Sequence, residues 1–333
     1  MDLGLGLDTL GTPAHWAAFF ALVVALLFID LGVFQRQPHA LSWREALAWS
    51  GVWIGLAVLF NVVIWAAFGP QRALEFLTGY LIEKALSVDN LFVFLVIFGY
   101  FGVGPELQHR VLFWGILGAL VMRAVFILAG SVLFLHVHWI IYLFGALLVL
   151  TGVKLLRGQE AGFDPTRSRA VRLLTRRLPV STARHDGRFL VRRGGRVLVT
   201  PLLLALMTIE MADVMFAVDS IPAVLAVTRD PFIVFTSNIF AILGLRALYF
   251  LVATGLKRLR YLNIALAAIL MFVGAKMLLS SLIAIPIAVS LAVVGVLLAA
   301  SVVASVPPAG RERGVACVEP PVASGTKPAE NVG

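Results

Sequence analysis

The segment TIEMADVMFAVDSIPAV, Thr208 to Val224, is strongly apolar yet carries Glu210, Asp213 and Asp219. A second apolar segment, EKALSVDNLFVF, carries Glu83 and Asp89. The interval is the same as from Asp213 to Asp219: an acid, five residues, then aspartate. A small polar residue follows each aspartate, Asn90 in one copy and Ser220 in the other. A doubled carboxylate motif suits a hard divalent cation, which prefers oxygen ligands, and Asn90, Ser220 and Asn238 offer neutral oxygens beside it. A soft-metal site is unsupported: no cysteine lies in an apolar segment, and His109, His136 and His138 sit at segment ends. Met207, Met211 and Met215 fall at helical spacing, which is more often packing than metal binding.

Such acids need compensation. A charged side chain at the centre of a bilayer costs about 2.5–3.5 kcal/mol on insertion scales. Arg123, Arg246 and Lys84 are the available charge partners, but buried bases are fewer than buried acids, so pairing alone leaves carboxylates over. A bound cation is the other compensation. Two plainer readings stand beside it: a charge network that only locks the architecture, and a proton path without metal. Asp30, in FIDLGVFQR, reads equally as a gate residue or as the partner of an arginine. Lys154 and Lys276 lie near segment ends, where a long side chain simply snorkels to the interface. Glu210 and Asp213, three apart, share a helix face. Asp213 and Asp219, six apart, are separated on a regular helix by roughly 120° and about 9 Å. All three acids cannot line one stripe of a straight helix. Local unwinding is therefore expected at AVDSIP, next to Pro222, and at SVDN, tolerated only where irregular backbone lines a cavity or is buried in protein.

The elements that must position these residues are membrane helices. The 333 residues are 60% hydrophobic and only 14% charged, with a mean hydropathy of +0.97. A soluble domain keeps about a quarter of its residues charged. Apolar runs of spanning length are read at 14–34, 44–68, 75–100, 109–131, 138–156, 200–226, 232–255, 262–281 and 284–305, nine in all. Residues 157–197 hold eleven arginines and three acids, which supplies most of the net charge of +9. A basic loop between apolar spans marks the cytoplasmic side, so nucleic-acid binding is not expected. With that loop inside, Arg36, Arg44, Arg110, Lys257, Arg258, Arg260 and the tail also fall inside. The outer loops hold Arg72 and Arg229, each with an acid nearby. The expected topology places the N-terminus outside and the C-terminus in the cytoplasm. The N-terminus, with Asp2 and Asp8, does not read as a cleaved signal peptide. The single cysteine, Cys317, implies no internal disulfide.

The acidic motif is one of three matches that recur in order. LGALVMRAVFIL and LGLRALYFLV each place Arg-Ala after Leu-Gly, at Arg123 and Arg246. TGVKLL and VGAKML match at Lys154 and Lys276. The fold class read from this is all-α: a polytopic membrane protein of about nine helices with an inverted three-plus-three repeat. Its parts are a two-span segment (1–74), the first repeat (75–156), the Arg-rich loop (157–199), the second repeat (200–281), a last span (282–305) and a disordered cytoplasmic tail (306–333). An offset of three spans inverts the second copy, a common way of building secondary transporters around a midplane site.

FIDLGVFQR, EKALSVDNLFVFLVIF, LGALVMRAVFI, the long stretch from TPLLLALMTIEMADVMFAVDSIPAV to FTSNIFAILGLRALYFLV, and FVGAKML together resemble the TerC family of integral membrane proteins, over residues 15–282. That family is named for tellurium resistance and is placed in a superfamily of exporters with inverted repeats that includes lysine exporters. The resemblance implies an inner (plasma) membrane protein that exports manganese(II), with Glu83, Asp89, Glu210, Asp213 and Asp219 as the intramembrane acids. A plant relative works in thylakoid membrane protein insertion, so an assembly or scaffold role in a membrane complex is the alternative. The Arg-rich loop and the tail depart from the pattern, and regulation through a soluble C-terminal domain is not expected. An enzyme is not expected either. No Walker-type loop is present, and no tightly bound cofactor is implied beyond the transported cation. The expected partners are the metal ion and the lipid bilayer, and an oligomer is compatible with the sequence. Export of tellurite-derived anions suits an acid-lined path badly.

Overall fold

The computed structural model describes residues 9–34, 43–137, 139–157, 171, 179, 187–193, 196–254, 261–283 and 285–305. The tail and most of the Arg-rich loop lie outside the described residues. Ten α-helices and one hairpin are present among the described residues. The helices are α1 (Pro13–Phe34), α2 (Trp43–Phe68), α3 (Pro70–Phe101), α4 (Pro105–His136), α5 (Ile140–Leu156), α6 (Pro201–Leu225), α7 (Pro231–Leu243), α8 (Leu245–Thr254), α9 (Leu262–Leu278) and α10 (Ile287–Ser305). Six segments are long and apolar enough to cross a membrane: α1, α2, α4, α6, α7 with α8, and α10. The helices α5 and α9 have 17 residues each. The 32-residue α3 is long enough but carries Glu83, Lys84 and Asp89 in its middle.

Proline starts the helices that build the centre. Pro70, Pro105, Pro201 and Pro231 each stand at the first helical position, where no amide hydrogen is needed and the fixed φ suits a helix. The Asp230 carboxylate caps α7, accepting from the Phe232 and Ile233 amides at 2.9 and 3.2 Å, and it also accepts from the Leu10 amide at 2.7 Å. The Thr200 hydroxyl caps α6. Glu75 accepts from Arg72 at 2.8 Å and from the Thr228 hydroxyl at 2.6 Å, which ties the start of α3 to the α6–α7 connection.

At the centre is α7, all of whose thirteen residues are buried. Of the apolar window of α7 and α8, 94% is buried, against 17% for α2 and for α10, whose outward faces are apolar and suit lipid. Thr236 and Ser237 satisfy their hydroxyls on their own helix, at the Ile233 and Val234 carbonyls, so α7 can be enclosed on all sides without orphaned polar groups. The helices α5 and α9 meet backbone to backbone. A Cβ on Gly145 would lie 3.0 Å from the Gly274 carbonyl oxygen, one on Gly274 2.7 Å from the Gly145 oxygen, and one on Gly152 2.8 Å from the Ala267 oxygen. Small residues are what allow helices to approach this closely where lipid removes the hydrophobic drive.

The expected unwinding is not found. The helices α3 and α6 run unbroken through SVDN and AVDSIP. Pro222 lies in the last turn of α6, where little ladder remains to be broken. The interruption falls instead at Gly244, between α7 and α8. There the Lys84 ammonium donates to the Ala241 carbonyl at 3.1 Å, and a Cβ on Gly244 would lie 2.8 Å from Lys84 Nζ and 2.9 Å from Trp53 Cβ. A side chain entering the carbonyl ladder is a recognised cause of helix breaks. Beside the helices stands one small antiparallel hairpin, β1 (Leu190–Arg193) with β2 (Arg196–Val199), in register Leu190 to Val199. Two short alternating runs flanking Gly194-Gly195 carry that signal.

Replacing Gly274 or Gly145 by leucine should wedge α5 from α9 and cost about 1–3 kcal/mol, read as a lowered thermal midpoint of the detergent-purified protein. Gly55→Leu, where nothing lies within 4 Å of the added atom, should show no such loss. Equal losses in both would contradict this packing.

Candidate metal-transport site

The four helices α3, α4, α6 and α7 bring one guanidinium to two carboxylates. Arg123, from α4, is 1% exposed and Glu83, from α3, is fully buried. Arg123 Nη1 donates to Glu83 Oε1 and to Asn238 Oδ1 at 2.9 Å. Its Nε and Nη2 donate to the two carboxylate oxygens of Asp213, on α6, at 3.3 and 3.1 Å. Asn238 Nδ2 closes the ring by donating to Glu83 Oε2 at 3.1 Å. The bidentate arginine–carboxylate fork adds geometric definition as well as energy. The cluster joins the acid of each sequence motif, Glu83 and Asp213, through the arginine that follows the first Leu-Gly.

Straight helices distribute the remaining acids. Glu210 lies one turn before Asp213 on the same face of α6, and its carboxyl rests on Gly118 of α4, where a Cβ would overlap it. Glu210 makes no hydrogen bond or ion pair with another described residue. Asp219 is turned to α5, where Thr151 Oγ1 donates to it at 3.3 Å. The expected separation of about 120° between Asp213 and Asp219 is thus kept, and the two face different neighbours. The backbone of Asp89 is helical, while its side chain lies outside the described residues. The five acids therefore do not form one cluster, and among the described residues no three His, Cys, Asp or Glu side chains converge as a ligand set. Of the accessory residues, Asn90 is buried, Asn238 joins the arginine cluster, and Ser220 Oγ is buried without a partner among the described residues. Lys84 pairs with a carbonyl rather than an acid: adjacent on α3, Glu83 and Lys84 meet one face of α7 a turn apart, at Asn238 and Ala241.

Asp30 resolves as an arginine partner, its carboxylate 3.0 Å from Arg246 Nη1 with both side chains buried. A narrow cavity reaches this centre, lined among others by Phe94, Leu112, Gly115, Ile116, Asp213 and Arg246. Around Arg123, three carboxylates (Glu83, Asp213 and Glu210) stand against one guanidinium, while Lys84 turns to the Ala241 carbonyl and Lys154 stands beside Asp219. The sequence showed the acids and the arginines. It did not show Thr151, Gly118 or the Ala241 carbonyl as partners, although LGALVMRA holds Gly118 and Arg123 together and Thr151 stands three before Lys154.

A family model described as "Integral membrane protein TerC family" matches residues 68–312. The chain is 50% identical over 298 residues to "Uncharacterized membrane protein STKORF319" of Myxococcus xanthus, covering 89% of this chain and 93% of that one. It is 48% identical over 297 residues to "Putative membrane-bound redox modulator Alx" of Escherichia coli, covering 86% and 92%. It is 39% identical over 291 residues to "Uncharacterized membrane protein" of Rickettsia felis, covering 87% and 97%. No solved structure matches.

Asp30→Asn should destabilise the protein by about 3 kcal/mol or more, since it strands a buried guanidinium opposite a neutral group. The double change Asp30→Leu with Arg246→Met should recover most of that loss. Chemical or thermal unfolding of the purified variants reads both, and a double variant as weak as the sum of the singles would contradict the pairing.

Proposed function

This chain belongs to the TerC family of integral membrane proteins, and from that premise we propose that it exports a divalent cation, manganese(II) before others, by alternating access. The observation that carries the reading is the group of three carboxylates, Glu83, Asp213 and Glu210, gathered at one buried guanidinium, with Asp213 also lining a cavity. Such residues in a membrane interior mark ion pathways by default. Oxygen donors from Glu83, Asp213 and Asn238 match a hard cation, with Glu210 one turn from Asp213; Asp89 and Asp219 belong to the same two helices.

The proposal includes nine crossings and the inverted three-helix repeat. The α5–α9 contact supports it. Gly152 and Gly274 are equivalent positions in TGVKLL and VGAKML, and the same offset carries Gly145 to Ala267. Gly145 meets Gly274 while Gly152 meets Ala267, the reciprocal pairing that a two-fold axis between two copies generates. In the proposed topology the protein lies in the inner (plasma) membrane with its N-terminus outside and its C-terminus in the cytoplasm. Rocking of one repeat against the other would then expose the centre to each side of the membrane in turn.

The second reading is a scaffold or assembly factor in a membrane complex. It is favoured by Arg123 itself, which satisfies Glu83 and Asp213 without any cation. The redox role in the name of the Escherichia coli relative finds no dithiol in this sequence, whose one cysteine is Cys317. Resistance to tellurite, the namesake of the family, would be indirect on the transport reading.

Purified protein in proteoliposomes should carry manganese(II) to a trapped fluorescent indicator faster than empty vesicles. Glu83→Gln and Asp213→Asn, each monodisperse, should reduce the flux to the empty-vesicle rate. Wild-type vesicles no faster than empty ones, or full flux in both variants, would defeat the transport reading in favour of the scaffold.

A further inference from the structure

We propose that Arg123 is a tethered stand-in for the transported cation: it holds Glu83 and Asp213 while the site is empty and swings to Glu210 when a divalent cation takes its place. The proposal rests on the transport reading above and adds to it a competitor built into the chain.

The donor set around the guanidinium is the first argument. Its neighbours are a carboxylate from α3, a carboxylate from α6 and the amide oxygen of Asn238. These are the oxygens that a hard cation would use. One bidentate carboxylate already satisfies the charge of an arginine. Here a second, fully buried carboxylate shares it, so the cluster keeps one uncompensated negative charge in a medium of low dielectric.

Glu210 supplies the second argument. It is a half-buried carboxylate without a hydrogen bond or ion pair to another described residue. It lies one turn from Asp213, against Gly118 of the helix that carries Arg123. The missing side chain at Gly118 is what admits the carboxylate to the α4 backbone. A guanidinium leaving Asp213 therefore has an acid without a hydrogen bond one turn further along α6, about 5 Å away along the helix axis.

Charge closes the argument. Glu83, Asp213 and Glu210 against Arg123 leave two negative charges. One divalent cation between Glu83 and Asp213, with Arg123 on Glu210, pairs every charge in the group. A monovalent cation leaves one carboxylate over, so the exchange selects for charge two. Asp213 lines a cavity together with Gly115 and Ile209, both beside Glu210, so one carboxylate of the pair already borders open space while the arginine holds the other. When the cation leaves, the arginine returns and prevents the emptied carboxylates from recapturing it.

The test is a titration of the purified full-length protein with manganese(II) chloride, followed by the loss of the free-ion electron paramagnetic resonance signal. Arg123→Gln removes the competitor and should tighten binding by at least about tenfold, because a unit charge a few ångströms away is removed from a partly buried site. The same variant should fail to release the ion, so its vesicle flux should fall although its affinity rises. Arg123→Lys keeps the charge and should bind within a few-fold of wild type. Glu210→Gln removes the landing place and should weaken binding about tenfold. A wild-type protein that exports manganese while Arg123→Gln binds no more tightly would overturn the role of the arginine and leave the transport reading standing. A wild-type protein that neither binds nor exports would overturn both. Should Arg123→Gln fail to give a monodisperse protein, Glu210→Gln decides: unchanged affinity there overturns the proposal.

Discussion

Three carboxylates, Glu83, Asp213 and Glu210, are gathered around one guanidinium inside a bundle of apolar helices, and the rest of the architecture answers to that local imbalance. Water solvates a surplus carboxylate on a surface. In a membrane interior it must find a donor, a counter-charge or an ion. Arg123 serves Glu83 and Asp213 together, Arg246 serves Asp30, and Thr151 serves Asp219. Glu210 has none of these among the described residues. The three helices α3, α4 and α6, contributed by both halves of the chain, are thereby drawn to one point beside α7.

Enclosing that point takes close packing, and the small residues supply it. The wholly buried α7 gives Asn238 a place where its amide can bridge Arg123 and Glu83. Gly79 admits Ser237, and Gly118 admits the Glu210 carboxyl. The Gly145–Gly274 contact brings α5 and α9 together at backbone distance. Each of these positions looks interchangeable in a hydropathy profile. Each is a place where one extra carbon would collide with a neighbour.

Much of this was legible from composition and spacing. The apolar runs end within a few residues of the helices, because proline and glycine punctuate them: 44–68 against Trp43–Phe68, and 200–226 against Pro201–Leu225. The acids and their arginine partners could be named because charge is rare enough here to stand out. What stayed hidden was pairing in space. The spacing of Asp213 and Asp219 suggested unwinding, on the premise that all the acids face one site. The helix stays regular and Asp219 faces α5 instead. The real interruption, at Gly244, falls where Lys84 from another helix meets the Ala241 carbonyl, and nothing local to ILGLRAL announces a lysine 157 residues away in sequence. The hairpin was within reach, but two four-residue runs in an arginine-rich loop are a weak signal beside nine long apolar ones.

The central claim is that the surplus charge exists to hold one divalent ion. Equilibrium dialysis of the purified protein against manganese, calcium, zinc and iron(II), with bound metal counted per chain, tests it most directly. The account predicts one tightly held ion per chain, with manganese retained in preference to the others. A protein that retains no metal from any of the four baths would show that its carboxylates are balanced from within, and the claim would be wrong.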